Sequence, residues 1–273
     1  MNPLKLRIDE AKCLRCGACA EDCPAKCLAM DPASGIPVVV ESFAERCLHC
    51  QHCLAVCPAG ALSIFGRDPD TAEVNEKPPV PGELLNLIRC RRSFRRYRQE
   101  NLPAETMEKL LDMLAWVPTG VNDHRLRFSV IDDLAVMERF RRSAGEKVLA
   151  AIAANDPACQ RFVRYRERIL AGDDVIFRGA PHLIVATSPA DAPCATTDPV
   201  IALSYFELYA QSLGVGTVWA GIVTWILQAI PALRAELGIG EDETVGYAML
   251  FGPTDLKYPR GTLPEAATLR RIR

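Results

Sequence analysis

Two stretches of the chain set thiols at fixed intervals: CLRCGACAEDCP at 13–24 and CLHCQHCLAVCP at 47–58. Each reads C-x2-C-x2-C-x3-C-P, and the second repeats the first at one constant offset, so the segment is an internal duplication. Three cysteines at two-residue intervals wrap a loop around an iron–sulfur cube, each thiolate taking one iron. The fourth, before proline, points away and serves the other cube. This spacing assigns Cys13, Cys16, Cys19 and Cys57 to one [4Fe–4S] cluster and Cys47, Cys50, Cys53 and Cys23 to a second. Zinc knuckles are the alternative, but zinc favours ligands in two pairs with a longer gap between them, and two identical four-cysteine runs fit that poorly.

Nine of the twelve cysteines precede residue 60, and the opening MNPLKLRIDE lacks the apolar core of an export signal. The thiols therefore read as metal ligands in a cytoplasmic chain rather than as disulfides. Cys27 has no cysteine counterpart in the second repeat and reads as a small buried residue, as do Cys90, Cys159 and Cys194 elsewhere. His49 and His52 lie among the ligands, where they either tune cluster potential or face solvent.

A second concentration of chemistry is RCRRSFRRYR at 89–98, six arginines in ten positions. Such fixed positive charge suits either nucleic-acid phosphates or one phosphorylated cofactor. The formal net charge of −2 speaks against a nucleic-acid binder, which usually presents a basic face on a basic domain. No apolar run reaches the roughly 20 residues of a membrane span; VGTVWAGIVTWILQAI comes nearest but is short and continues as an amphipathic pattern. Neither a G-x-G-x-x-G after a strand nor a G-x-x-x-x-G-K-[ST] occurs, which disfavours a built-in nicotinamide-binding Rossmann unit or a P-loop.

The elements that must carry these residues fit 273 positions as two modest domains. IPVVV (36–40) and ALSIF (61–65) read as short strands beside the cysteine loops. GRDPDTAEVNEKPPVPG (66–82), rich in Pro, Asp and Glu, reads as an extended connector. The spacing of Met107, Leu110, Leu111 and Leu114 predicts a helix over 103–117. RFSVIDD, PHLIVATS, GTVWAG and ETVGYAMLFG read as strands, and the charged segment 136–180 as a helical cap. A further helix is expected over 198–213, with Asp198 as N-cap, Pro199 at its first position and Gly214 beyond its end. The expected fold is α+β: a small cluster-binding domain over 1–66, a linker over 67–82 and a layered domain over 83–273.

Residues 1–66 resemble a bacterial-type two-cluster ferredoxin. RRSFRRY, LLDMLAWVPTGVNDHRLRFSVIDD, YFELYAQSLGVGTVWAG, LGIGEDETVGYAMLFG and LKYPR, in that order, resemble the nitroreductase family of FMN-dependent oxidoreductases over about 83–265. The resemblance implies that Arg91 and Ser93 hold the FMN phosphate and that Arg95 lies near the flavin N1 and O2 edge. Arg92 belongs to the same gripping stretch, although it need not touch the cofactor, nor need Arg89, Arg96 or Arg98. Asn122 is implied to bond the ring or ribityl chain, and Lys257 and Arg260 to close over the phosphate. Gly216, Thr217, Trp219 and Gly221 match the strand passing close to the flavin, with Trp219 equally readable as a core aromatic.

His124, Arg125 and Leu126 stand where the family commonly has Gln-Pro-Trp, and His124 is the candidate proton donor to substrate. A homodimer, an external low-potential donor such as ferredoxin and a small organic acceptor (a nitro compound, quinone, enone or flavin) are the implied partners. In the leading expectation the two clusters relay electrons to FMN. The alternatives are direct reduction by NAD(P)H with structural clusters, and a non-catalytic electron-transfer or redox-sensing protein.

Overall fold

The duplication in sequence is also a duplication in backbone. The computed structural model describes residues 4–75 and 77–273 and divides the chain into two compact units, Met1–Pro78 and Pro79–Arg273. The first unit runs β1 (Arg7–Ile8), α1 (Ala18–Glu21), β2 (Leu28–Met30), β3 (Pro37–Val39), α2 (His52–Ala55) and β4 (Leu62–Ser63). β2 pairs antiparallel with β3, and β1 with β4. α1 and α2 begin at the same offset that separates Cys13 from Cys47. Leu4, Cys27, Leu28, Leu54, Leu62 and Ile64 form the unit's core.

The connector expected over 67–82 is shorter in the structure. Asp68 caps a 3-10 turn at Pro69–Thr71 by accepting from Asp70 N–H. Asp70 in turn pairs with Lys12 at 3.0 Å, tying this stretch to the first unit. Helix α3 (Pro81–Cys90) already starts inside the same segment, because proline at a first helical position has its φ preset and gives up an N–H that would be unpaired anyway.

The second unit continues with α4 (Ala104–Asp112), β5 (Arg127–Ile131), α5 (Leu134–Ala153), α6 (Arg166–Leu170) and β6 (His182–Pro189). It ends with α7 (Asp198–Ser212), β7 (Gly216–Trp219), α8 (Gly221–Ala229), α9 (Pro231–Glu236) and β8 (Glu243–Gly252). The sheet has the order β5-β6-β8-β7 and is antiparallel throughout. Every residue of β6 is buried, which explains why PHLIVATS is almost continuously apolar rather than alternating: helices cover both faces. Leu183 and Val185 face one core with Met137, Phe140 and Val148 of α5. Ile184 and Ala186 face the other with Leu203, Phe206 and Ala210 of α7. This is the expected α+β layering.

Two elements depart from the expected boundaries. The helix predicted over 103–117 ends at Asp112 and tightens into a 3-10 turn, Met113–Trp116. Pro118 enforces this, since the residue before a proline is driven out of the helical region, and Val117 is extended (φ −71°, ψ 135°). Asp198 is not the N-cap of α7. Thr197 occupies that place, and the Asp198 carboxylate accepts from Gly120 N–H instead, at 3.1 Å to both oxygens. Among the described residues no helix is long and apolar enough to cross a membrane.

Candidate functional site

The eight motif cysteines gather into two sets. Cys13, Cys16, Cys19 and Cys57 line one pocket, together with Pro58, Ile8 and Leu62. Cys23, Cys47, Cys50 and Cys53 line the other, with Pro24, Leu28 and Ile64. The fourth cysteine of each run thus crosses to the pocket of the other. Burial pushes the Cys53 thiol up to about 11, with Cys23, Cys50 and Cys47 adding to the shift. Cys19 moves the same way, from burial first and then from Cys57 and Cys16. Thiols this crowded and dry resist ionisation until a cationic centre is present to favour the thiolate.

The two repeats turn left-handed at the same positions. Arg15 and His49 (φ 53° and 56°), Gly17 and Gln51 (79° and 58°), and Lys26 and Gly60 (54° and 57°) are equivalent pairs, all left-handed. Non-glycine residues adopt that region rarely, so its recurrence at matched positions marks a required loop shape. Cys27 N–H donates to Cys23 Sγ at 3.2 Å, and Ala61 N–H donates to Cys57 Sγ at 3.3 Å. Ala61 is therefore the structural counterpart of Cys27, and both are buried. His49 stacks on Phe65 (ring centroids 4.4 Å apart), and His52 Nδ1 lies 3.5 Å from Asp22. Apolar walls, crossed thiol sets and sulfur-directed amides fit a pair of iron–sulfur clusters.

The arginine segment begins where α3 ends. Arg91 is the C-cap and turns the backbone extended (φ −56°, ψ 140°). Residues beyond it run alongside β7: Ser93 bridges Thr217 in parallel, and Phe94 N–H donates to Thr217 O at 2.8 Å. Gln211 of α7 clamps the same stretch. Its Oε1 accepts from Arg92 N–H, and its Nε2 donates to Arg92 O (2.9 Å) and Thr217 Oγ1 (2.7 Å). Gly216 is glycine because a Cβ there would stand 2.9 Å from Phe94 Cγ and 3.0 Å from Thr254 Cγ2. Gly221 is similarly crowded by the Tyr247 hydroxyl, 3.0 Å from where its Cβ would stand.

The guanidinium groups divide the work. Arg92 spends its fork on the carbonyls of Arg89, in α3, and of Arg91, the C-cap, so its side chain closes the end of the helix. Arg91 Nε lies 3.2 Å from Glu207 Oε2, and Trp219 Nε1 donates to the same oxygen at 3.0 Å. Arg95 is exposed and donates to Ser93 O. Lys257 and Arg260 are exposed on the segment that follows β8. That segment returns to α3: a Cβ on Gly261 would lie 3.2 Å from Arg89 O, and Tyr258 meets Phe94 edge-on.

The loop before β5 holds the remaining candidates. Val121, Asn122 and His124 all have positive φ (48°, 58° and 48°), and for β-branched Val121 this is a genuine outlier. Three anchors hold the loop: Asp198 on Gly120 N–H, Thr119 Oγ1 on His124 N–H (3.0 Å), and Arg125 between Asp123 and Asp191. The His124 ring Nε2 lies 2.9 Å from Asn122 Oδ1, so whichever tautomer places a proton on Nε2 is the one this contact favours. Asp198 and Glu207, nine positions apart on α7, stand about 13 Å apart along its axis. One helix thus carries both the loop anchor and the Arg91 partner.

Sequence reasoning missed Glu207, Gln211 and the true role of Asp198. A charge inside the apolar run YFELYA, with Gln211 one turn beyond it, was the available signal.

The Nitroreductase family matches residues 88–253. The chain belongs to the nitroreductase family. A 4Fe-4S dicluster domain matches residues 12–61 and takes in all eight motif cysteines. This nitroreductase-family oxidoreductase is 24% identical over 184 residues to an Archaeoglobus fulgidus protein described as a candidate NADH dehydrogenase/NAD(P)H nitroreductase, covering 65% of this chain and 86% of the relative. Its fold is similar to a Bacteroides fragilis nitroreductase solved with bound FMN (23% identity, TM-score 0.58, 70% of this chain and 99% of that one). The Mycobacterium smegmatis FMN-dependent nitroreductase NfnB, solved with NADPH, aligns at 20% identity and TM-score 0.51 over 70% of this chain and all of its own. Arg91 through Gly221 fall within the family match, whereas Lys257 and Arg260 lie beyond its end.

Proposed function

We propose that this chain is an FMN-dependent oxidoreductase in which two [4Fe–4S] clusters relay electrons to the flavin for reduction of an organic acceptor. The observation that carries the reading is the pairing, in one polypeptide, of two crossed four-cysteine pockets with a nitroreductase-family domain. When bound, the clusters supply single-electron transfer and FMN couples it to two-electron chemistry.

Cys13, Cys16, Cys19 and Cys57 hold one cluster, and Cys47, Cys50, Cys53 and Cys23 the other. Arg91 and Ser93 bind the phosphate, with Lys257 and Arg260 closing from the C-terminal segment; Arg suits a dianion because its planar fork gives two parallel charge-assisted bonds. Arg95 lies toward the N1 and O2 edge of the ring, where a fixed cation favours the reduced anion. Asn122 bonds the flavin, and Gly216, Thr217, Trp219 and Gly221 form the strand and turn beside it. Arg92 serves the site by fixing the end of α3. His124, held toward Asn122, gives a proton to the reduced acceptor.

A homodimer is part of this reading. Trp116 is 79% exposed, Tyr205 of α7 is 52% exposed, and Leu263 and Ile272 stand fully in solvent. Exposed large apolar groups on α7 and on the C-terminal segment suit a second copy of the chain.

Metal and flavin analysis of anaerobically purified protein tests the cofactor assignment. About eight irons and one FMN per chain are expected. Zinc in place of iron, or no flavin, contradicts it. The similarity to NfnB, solved with NADPH, favours one further reading, direct reduction by NAD(P)H. NADPH bleaching the flavin equally fast in wild type and in Cys57→Ala supports that reading and leaves the clusters structural.

A further inference from the structure

Glu207 is out of place among its neighbours. Leu203, Phe206 and Ala210 share its buried stretch of α7, yet this carboxylate is only 5% exposed. Burying a carboxylate is costly unless donors meet it. Trp219 Nε1 donates to Oε2 at 3.0 Å, and Arg91 Nε lies 3.2 Å from the same oxygen as an ion pair, without hydrogen-bond geometry. Its other oxygen, Oε1, is buried without a hydrogen-bond partner.

We propose that Glu207 is a positioning residue that orients the Arg91 guanidinium for the FMN phosphate, an inference that rests on the reading of Arg91 given above. A guanidinium presents its five donors in a fixed plane. Glu207 holds the guanidinium by charge, nearest its Nε, which leaves the two terminal nitrogens as a fork for two parallel bonds to phosphate oxygens. The arginine is also fixed at its base, where Arg91 N–H donates to Leu87 O at the end of α3. Holding a long side chain at both ends removes rotamer freedom before the cofactor arrives, so less is lost on binding. Arg92 cannot substitute, because its fork is committed to Arg89 O and Arg91 O. The Trp219 bond extends the same support to β7, so the arginine and the strand beside the flavin share one anchor.

Riboflavin lacks the phosphate, so it separates phosphate positioning from general damage to the pocket. Full-length protein stripped of flavin is titrated with FMN and with riboflavin, and the ratio of the two dissociation constants measures phosphate preference. Glu207→Gln, which keeps the shape and an acceptor for Trp219, is expected to lower that ratio about tenfold with riboflavin affinity unchanged. Arg91→Ala is expected to lower it at least as far, and the double variant no further than Arg91→Ala alone, since both act through one group. Glu207→Asp, which keeps the charge but shortens its reach, carries the same expectation should the Gln variant fold poorly. A wild-type ratio in the Glu207 variants, equal losses for both flavins, or losses that multiply in the double variant overturn the proposal. An unchanged ratio in Arg91→Ala places the phosphate elsewhere and overturns the underlying cofactor reading as well.

Discussion

His182, at the start of β6, is wholly buried and accepts from Leu102 N–H at 3.0 Å through Nε2, which fixes the neutral ring. Burial pushes its pKa down to about 4, against the weaker opposing pull of Asp132 and Asp133. The unfolded chain takes up this proton near pH 6.5 and the folded one only near 4. The stabilisation is therefore complete above about pH 6.5 and is lost as pH falls toward 4, on the order of 3 kcal/mol in all. His182→Gln is expected to melt at a temperature that changes less between pH 7 and 5 than wild type. Parallel pH curves for the two proteins contradict this. His124 is a residue of another kind, exposed on a left-handed loop beside Asn122. Its replacement by Gln is expected to lower kcat for acceptor reduction with FMN affinity kept; an unaltered kcat removes it from the proton-donor role.

At the scale of elements, Gln211 joins α7 to both the arginine segment and β7 through three hydrogen bonds. Gln211→Ala leaves part-buried donors and acceptors unpaired, at about 1 kcal/mol each, so a lower melting temperature and weaker FMN binding are expected together. Melting and flavin titration of the variant check it; loss of one without the other separates the clamp from the site. Apolar runs and helical spacing made most elements legible, and the cysteines that the two Cys-x2-Cys-x2-Cys-x3-Cys-Pro runs group together are the ones that line each pocket. The misses have local causes. Pro118 stopped the helix that apolar spacing extended to 117. Asp198 looked like a cap, but the long-range bond to Gly120 N–H, invisible to local spacing, claims its carboxylate. Glu207 and Gln211 act through residues more than a hundred positions away, and Gly216 answers to Phe94 and Thr254 rather than to any neighbour in sequence.

At the scale of the molecule, the exposed Trp116, Tyr205, Leu263 and Ile272 predict self-association. Light scattering is expected to give twice the 30.0 kDa chain mass, and deletion of 262–273 to weaken the dimer. A monomer at micromolar concentration contradicts that reading. We propose that the cysteine domain feeds electrons to a flavin held by the arginine domain, a reading carried by two crossed cysteine pockets and a nitroreductase-family domain in one chain. Rapid anaerobic mixing of the holoprotein with reduced ferredoxin, followed by flavin absorbance, tests it most directly. Wild type is expected to lose its flavin absorbance quickly, while Cys57→Ala and Cys23→Ala bind FMN normally but keep it oxidised. Flavin reduction at the wild-type rate in either variant contradicts the account.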